Sequence, residues 1–275
     1  MKSNANFAAT EPERIPSSIG AINRLPEAEK RAIYLRAVPP ALLERFGLSP
    51  YLVDAEGRPL FTLRAPAGAS TVELAVYHRH GFPDPVLYAH LGDSLSGHLH
   101  VLLYILNDPD APRFNVDRLP DGTPTRFGIL ARNLEAEQAA MEAGLAPGQI
   151  RRGLRMLPDA IATFEAFAWS MGQRIYFAEP LYYHNAVLFE RYGFGYQKGR
   201  AFMERIARGF APGGDLLPRL DGSTPFRRPE AAHSIRLRSW AIHDGILGVP
   251  FTGVTMYKRV GQQSRVRTCP PEIAW

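Results

Sequence analysis

The sequence predicts an α+β protein, an α/β sandwich around a mixed, mainly antiparallel central sheet, and three observations predict it. Residues 51–107 repeat apolar and polar side chains with a period of two between turn clusters, the signature of paired strands with one buried face. Residues 134–144 and 154–171 carry apolar side chains at helical spacing. Residues 174–194 combine a run of β-branched, aromatic and aliphatic residues with a short helical pattern that stops at Gly193-Phe194.

The elements follow in order. Residues 1–18 form a polar arm. Helices over 27–38 and 40–46 are parted by Pro39-Pro40, because a helix loses a hydrogen bond at an interior proline. Strands are expected over 51–54, 60–64, 71–80, 85–93 and 98–107, an antiparallel meander with turns at Glu56-Gly57, 66–68, 81–84 and 92–97. An inserted segment, 108–148, follows; its first part is rich in Pro, Asp and Gly and suits an ordered excursion over a site or a lid. Within it Asn133 can cap a helix through Leu134, Gln138 and Met141 that stops at Gly144. A helix after Gly153 lines up Leu154, Leu157, Ile161, Phe164, Ala168 and Met171. Residues 174–181 then form a strand and 184–192 a helix, followed by a helix over 199–208, a loop over 213–228 and a closing strand pair, 233–243 and 252–260. The expected organisation is one domain, 19–260, with a tail over 261–275.

Composition narrows the function classes. A net charge of +5, from 32 basic and 27 acidic residues, favours an anionic partner but is far from the dense basic stripe of a specific nucleic-acid binder, so a phosphate-bearing small molecule suffices. One cysteine, Cys269, excludes an internal disulfide and suits a reducing, cytoplasmic setting. No 18 apolar residues occur in succession and the start lacks the apolar run of a signal peptide, so no membrane partner is expected.

The segment Arg151-Arg152-Gly153-Leu154-Arg155, the helix and strand after it, the helix ending Leu188-Phe189-Glu190-Arg191-Tyr192-Gly193-Phe194 and the final 254–260 together resemble the GNAT-type N-acetyltransferases. The resemblance implies a GNAT-like sheet with helices on both faces. It also implies transfer of an acyl group from acetyl-CoA or another acyl-CoA to a small amine. In that family the turn before the long helix offers backbone N–H groups to the coenzyme A pyrophosphate, and the helix N-terminus adds its positive dipole end. Gly153 would give the close backbone approach, Arg151, Arg152, Leu154 and Arg155 would complete the turn, and Asn185 would join the cofactor set. Phe189 stands where the family carries a proton-donating tyrosine, so Tyr182, Tyr183 or His184 would supply the acid.

The residues themselves point to a second constellation. Five of eight histidines, His78, His80, His90, His98 and His100, fall on the meander, and strand parity gathers Glu73, Tyr77, Tyr88, His90, His98, His100 and Tyr104 on one face. Glu73, His90 or His100 could remove a proton from an acceptor amine, because imidazole titrates near working pH. Alternatively His90, His98 and His100 with Glu73 could hold a divalent metal and make a metal-dependent enzyme. A non-catalytic GNAT-like scaffold is the third reading.

Overall fold

The period-two segments pair as a meander in the computed structural model, which describes residues 15–126, 128 and 131–275; most of the expected polar arm, residues 1–14, lies outside them. Strands β1 (Phe61–Arg64), β2 (Thr71–Val76), β3 (Leu87–Asp93) and β4 (Leu99–Leu106) are antiparallel neighbours. Val72, Leu74, Val76, Leu87, Ala89, Leu91 and Leu99 are all buried, so the alternation marks one core face.

The preceding helices α1 (Ile19–Ile22), α2 (Glu27–Leu35) and α3 (Pro40–Phe46) begin with a polar clasp. Ser18 caps α1, and the N–H groups of Ile19 and Gly20 each donate to the Asp93 carboxylate at 2.8 Å. Asn23 donates to the carbonyls of Ala69 and Thr71 and accepts from the Tyr34 hydroxyl at 2.6 Å. The first-turn donors that a short helix leaves orphaned are thereby satisfied by Asp93 at the end of β3 and by Ser18.

After α4 (Leu134–Glu142), α5 (Leu157–Ser170) crosses over to β5 (Ile175–Ala178), which runs parallel to β4. Then come α6 (Tyr183–Arg191), β6 (Gly195–Lys198), α7 (Arg200–Gly209), two 3-10 turns, α8 (Ile235–His243) and β7 (Thr255–Arg259). The seven strands form one mostly antiparallel sheet in the order β1-β2-β3-β4-β5-β7-β6. Among the described residues no helix is long and apolar enough to cross a membrane.

By contact the chain divides into two compact units. The first takes the described residues up to 109, with 153–179 and 257–263; the second takes the described residues of 110–152, 180–256 and 264–275. The first holds the meander, α5 and β5. The second has its own core of Val116, Ala140, Met141, Leu145, Phe226 and Trp240, fixed by the Trp240 indole N–H on the Leu145 carbonyl at 2.8 Å.

Three expectations change. Residues 51–54 contribute only an isolated bridge, Val53 to Pro59, and β2 stops at Val76, leaving His78 and His80 beyond it. Residues 233–243 are not a strand. Ser234 caps a helix by accepting from the Leu237 N–H, and Ile235, Arg238, Ser239, Trp240, Ala241 and Ile242 are buried around most of its circumference, a pattern that has neither a period of two nor one apolar stripe.

Candidate active site on the sheet

The strand register sets which ionisable side chains share a face. Glu73 lies opposite His90, Gly92 opposite His100, and His100 opposite Phe177 across the parallel pair. Glu73, Tyr88, His90, His100 and Phe177 therefore share the face opposite the apolar core. Tyr104 does not join them: the ladder slips between His90 and Leu91, so that His90 faces Leu103 while Leu91 faces Val101, and Tyr104 falls opposite core-facing Ala89. A bulge adds a residue to one strand and reverses the alternation beyond it, which period counting cannot anticipate.

His98 precedes β4 at the hairpin end. Its Nδ1 lies 3.2 Å from Gln173 Oε1, and Gln173 donates onward to the carbonyls of Ser17 and Gly97. Among the described residues no three His, Cys, Asp or Glu side chains converge as a metal shell.

His100 is half-buried and its Nε2 makes no hydrogen bond, while Glu179 Oε1 stands 3.8 Å away at the carboxyl end of β5. Burial pushes the His100 pKa below the ordinary imidazole value, against the pull of Glu179. The ring is thus neutral at pH 7 and able to take a proton, with a carboxylate placed to stabilise the imidazolium that forms. Nearby on the same face the Tyr88 hydroxyl donates to Glu73 at 2.9 Å, and burial raises its pKa to about 12. Arg64 lies 3.6 Å from the same Glu73 carboxylate.

The other side of the sheet carries α5. Phe164 packs on Tyr176 of β5 with ring centroids 5.0 Å apart, so α5 covers the face opposite Phe177 and His100. A short link joins α5 to β5, so the helix runs back against the strand and its N-terminus points toward the carboxyl ends of β4 and β5. Fourteen helical residues rise about 21 Å, the length of roughly six strand residues. The Tyr104 hydroxyl, on the core side of β4, is buried and makes no hydrogen bond. The α5 start has no side-chain cap, since Met156 occupies the N-cap and a proline follows in the first turn. Just before it Arg155 holds a left-handed backbone at φ 59°, and the Leu154 carbonyl accepts from Arg45 at 2.9 Å. The left-handed residue of the expected phosphate turn is Arg155; Gly153 needs no such conformation. Gly153, Leu154 and Arg155 belong to the first unit, whereas Arg151, which donates to the Ala111 carbonyl at 2.5 Å, and the exposed Arg152 belong to the second.

Tyr183, His184 and half-buried Asn185 form the first turn of α6, in the second unit. His184 Nδ1 lies 2.9 Å from Ser239 Oγ, which also receives the His184 backbone N–H at 3.3 Å. Burial lowers the His184 pKa to about 3, so at neutral pH this ring is neutral and has no imidazolium proton to give a leaving thiolate. Tyr183 is buried beside Cys269 and Arg238, with its pKa driven up by desolvation. Phe189 stacks on Phe194 at 4.9 Å.

Two groups escaped the sequence reading. Glu179 had no signal beyond its place at a strand end. The network of Glu137, His243, Arg132 and Asp244 joins residues more than 100 positions apart, and no local spacing announces it. No protein-family model, curated protein or solved structure matches the chain.

Proposed function

We propose that this chain is an acyltransferase of the GNAT type that moves an acyl group from acyl-coenzyme A to a small amine. The observation that carries the reading is the end of the parallel pair. β4 pairs with β5 only at His100 and Val101, so the rest of β4 leaves that side of the ladder beyond Val101. An uncapped helix N-terminus points to the same end, where the buried Tyr104 hydroxyl also lacks a partner. Ligands in sheets with parallel strands bind outside the carboxyl ends, and a helix start favours phosphate there.

On this reading the backbone N–H groups of 153–157 hold the pyrophosphate, with Arg155 as a nearby cation. His100 Nε2 accepts the proton of the amine as its nitrogen adds to the thioester carbonyl, and Glu179 stabilises the charged ring. A carbon–nitrogen bond forms, the carbon–sulfur bond breaks, and the thiolate leaves to be protonated. Glu73 and His90, on the same face, border the acceptor. A divalent-metal enzyme is less well supported, since among the described residues Glu73, His90, His98 and His100 do not converge as a metal shell.

Calorimetry with coenzyme A tests the reading. Wild type should bind and Gly153→Asp should not, because the substitution sets a carboxylate where the pyrophosphate meets the backbone. Equal binding by both, or no binding by either, overturns it.

A further inference from the structure

On the acyltransferase reading the amine proton passes to His100, while the departing sulfur gathers negative charge that needs a donor. The two faces of β4 offer different groups. His100 stands on the outer face with Glu73 and His90, whereas Tyr104 lies opposite Ala89 on the face where α5 packs. Pairing with β5 ends at Val101, so Tyr104 is the third residue of the stretch that no longer pairs with β5. Ala89 is buried, and its methyl group accepts no hydrogen bond. Two other tyrosines of this unit spend their hydroxyls, Tyr34 on Asn23 at 2.6 Å and Tyr88 on Glu73 at 2.9 Å. The Tyr104 hydroxyl is buried and, among the described residues, has no hydrogen-bond partner. Leaving a buried donor unpaired is costly, and a ligand that brings an acceptor to it relieves the cost.

We propose that the Tyr104 hydroxyl donates a hydrogen bond to the leaving sulfur, a role that rests on the acyltransferase reading and sets base and donor on opposite faces of one strand. With the pyrophosphate at the start of α5, the acyl donor comes from the α5 side. The amine comes from the side of Glu73, His90 and His100. The two faces meet at the edge of β4 beyond Val101, where no β5 partner closes the ladder. As the carbon–nitrogen bond forms, the amine proton passes to His100 Nε2. The carbon–sulfur bond breaks, its electron pair stays on sulfur, and the thiolate takes a proton from water on release. A thioester sulfur is a weak acceptor and a thiolate a strong one, so the Tyr104 hydrogen bond strengthens only as the bond to sulfur breaks. Burial raises the Tyr104 pKa, so the phenol keeps its own proton at working pH and serves as a fixed donor rather than as an acid that ionises.

Tyr104→Phe in the full chain removes the hydroxyl and keeps the ring. Its melting temperature should equal or exceed that of the wild type, because no hydrogen bond is lost and an unpaired donor is removed. Calorimetry then compares coenzyme A with desulfo-coenzyme A as the pH rises from about 7 to about 9 and a thiol of ordinary acidity ionises. Wild type should come to favour coenzyme A over the desulfo compound by about tenfold, and Tyr104→Phe should lose most of that preference. Turnover of acetyl-coenzyme A should fall about 10²–10³-fold in the variant with KM unchanged. A wild type that binds neither compound overturns the acyltransferase reading, and the role of Tyr104 with it. A wild type that binds both overturns the role of Tyr104 alone if no preference for the thiol develops, if the Phe variant retains that preference, or if its turnover is unchanged. A variant that melts several degrees lower does the same, since it would make the hydroxyl structural.

Discussion

The meander of the first unit and the core of the second hold polar groups differently, although the first unit also buries one ion pair, Lys258 with Glu165 at 3.3 Å. In the first, the face under α5 is apolar along β2 and β3, and the ionisable residues of the meander stand on the other face, where the Glu73 carboxylate is partly open and His100 Nε2 is buried without a hydrogen bond. In the second, charge sits in the core. Glu137, 3% exposed, receives Arg132 through Nε at 2.9 Å and Nη2 at 2.5 Å and lies 3.2 Å from His243 Nε2; Asp244 receives Arg132, Thr224 and Arg227. The neighbouring charges hold the Glu137 pKa below its ordinary value despite its burial. A polar group on an open face can be served by water, whereas a buried one needs each of its partners, so the same substitution type should weigh very differently in the two places.

The largest expected effect is at Glu190, 0% exposed, whose carboxylate accepts from the Tyr196 hydroxyl and Thr268 Oγ1, each at 2.5 Å, and from the Thr268 N–H at 2.9 Å. Glu190→Ala strands three donors and should cost about 3–5 kcal/mol in urea unfolding, whereas Glu73→Ala on the open face should stay within about 1 kcal/mol. Similar losses at the two positions would break the comparison.

Acid sensitivity sharpens it. His184 is buried neutral with a pKa lowered to about 3, while the unfolded chain binds that proton near the ordinary imidazole value. Between those values the unfolded state holds more protons, so stability falls as pH drops, by up to about 1.4 kcal/mol per pH unit below about pH 6.5. His184→Gln should flatten the dependence of melting temperature on pH between 7 and 5. His100 is shifted in the same direction but is only half-buried, and His100→Gln should change that slope less. A slope untouched by His184→Gln would show that the ring is not held neutral.

Legibility divides along the same line. The meander, Asn133 as a cap, the crossover helix and the stop at Gly193 could be read because each obeys a local period or cap rule. The face shared by Glu73, His90 and His100 was legible for the same reason, and Tyr104 was misplaced because one bulge residue in β4 cancels parity from there on. The second unit resisted. α8 hides behind a sequence that is buried nearly all round, and its polar core joins Glu137 to His243 and Glu190 to Thr268 across long separations that carry no period. Glu179 matters through its approach to His100, a contact that exists only once β5 has taken its parallel register.

A smaller effect tests the phosphate turn. Arg155 at φ 59° holds a conformation that costs a side-chain-bearing residue about 1 kcal/mol, part of which glycine gives back as lost chain freedom. Arg155→Gly should therefore raise stability by about 0.5 kcal/mol, near 1 °C in melting temperature, while it weakens coenzyme A binding through the missing cation. A gain in stability with affinity unchanged would mean that the strain serves the chain path alone.

His100→Ala should change stability little, and it separates the two units most sharply. The ring is half-buried, its Nε2 has no hydrogen bond to lose, and the apolar face beneath α5 is complete without it. Removing it leaves no charge stranded, because Glu179 is 54% exposed and water can take over its solvation. Unfolding should shift by less than about 1 kcal/mol. Acyl transfer should fall by two to four orders of magnitude, the range of a lost general base, and the remaining rate should rise with pH as the amine deprotonates in solution (about 10²–10⁴-fold). Coenzyme A affinity should be unchanged, since the helix start lies on the other face. A variant that unfolds readily would assign His100 to the packing of the first unit, and one that keeps full activity would move the base to Glu73 or His90.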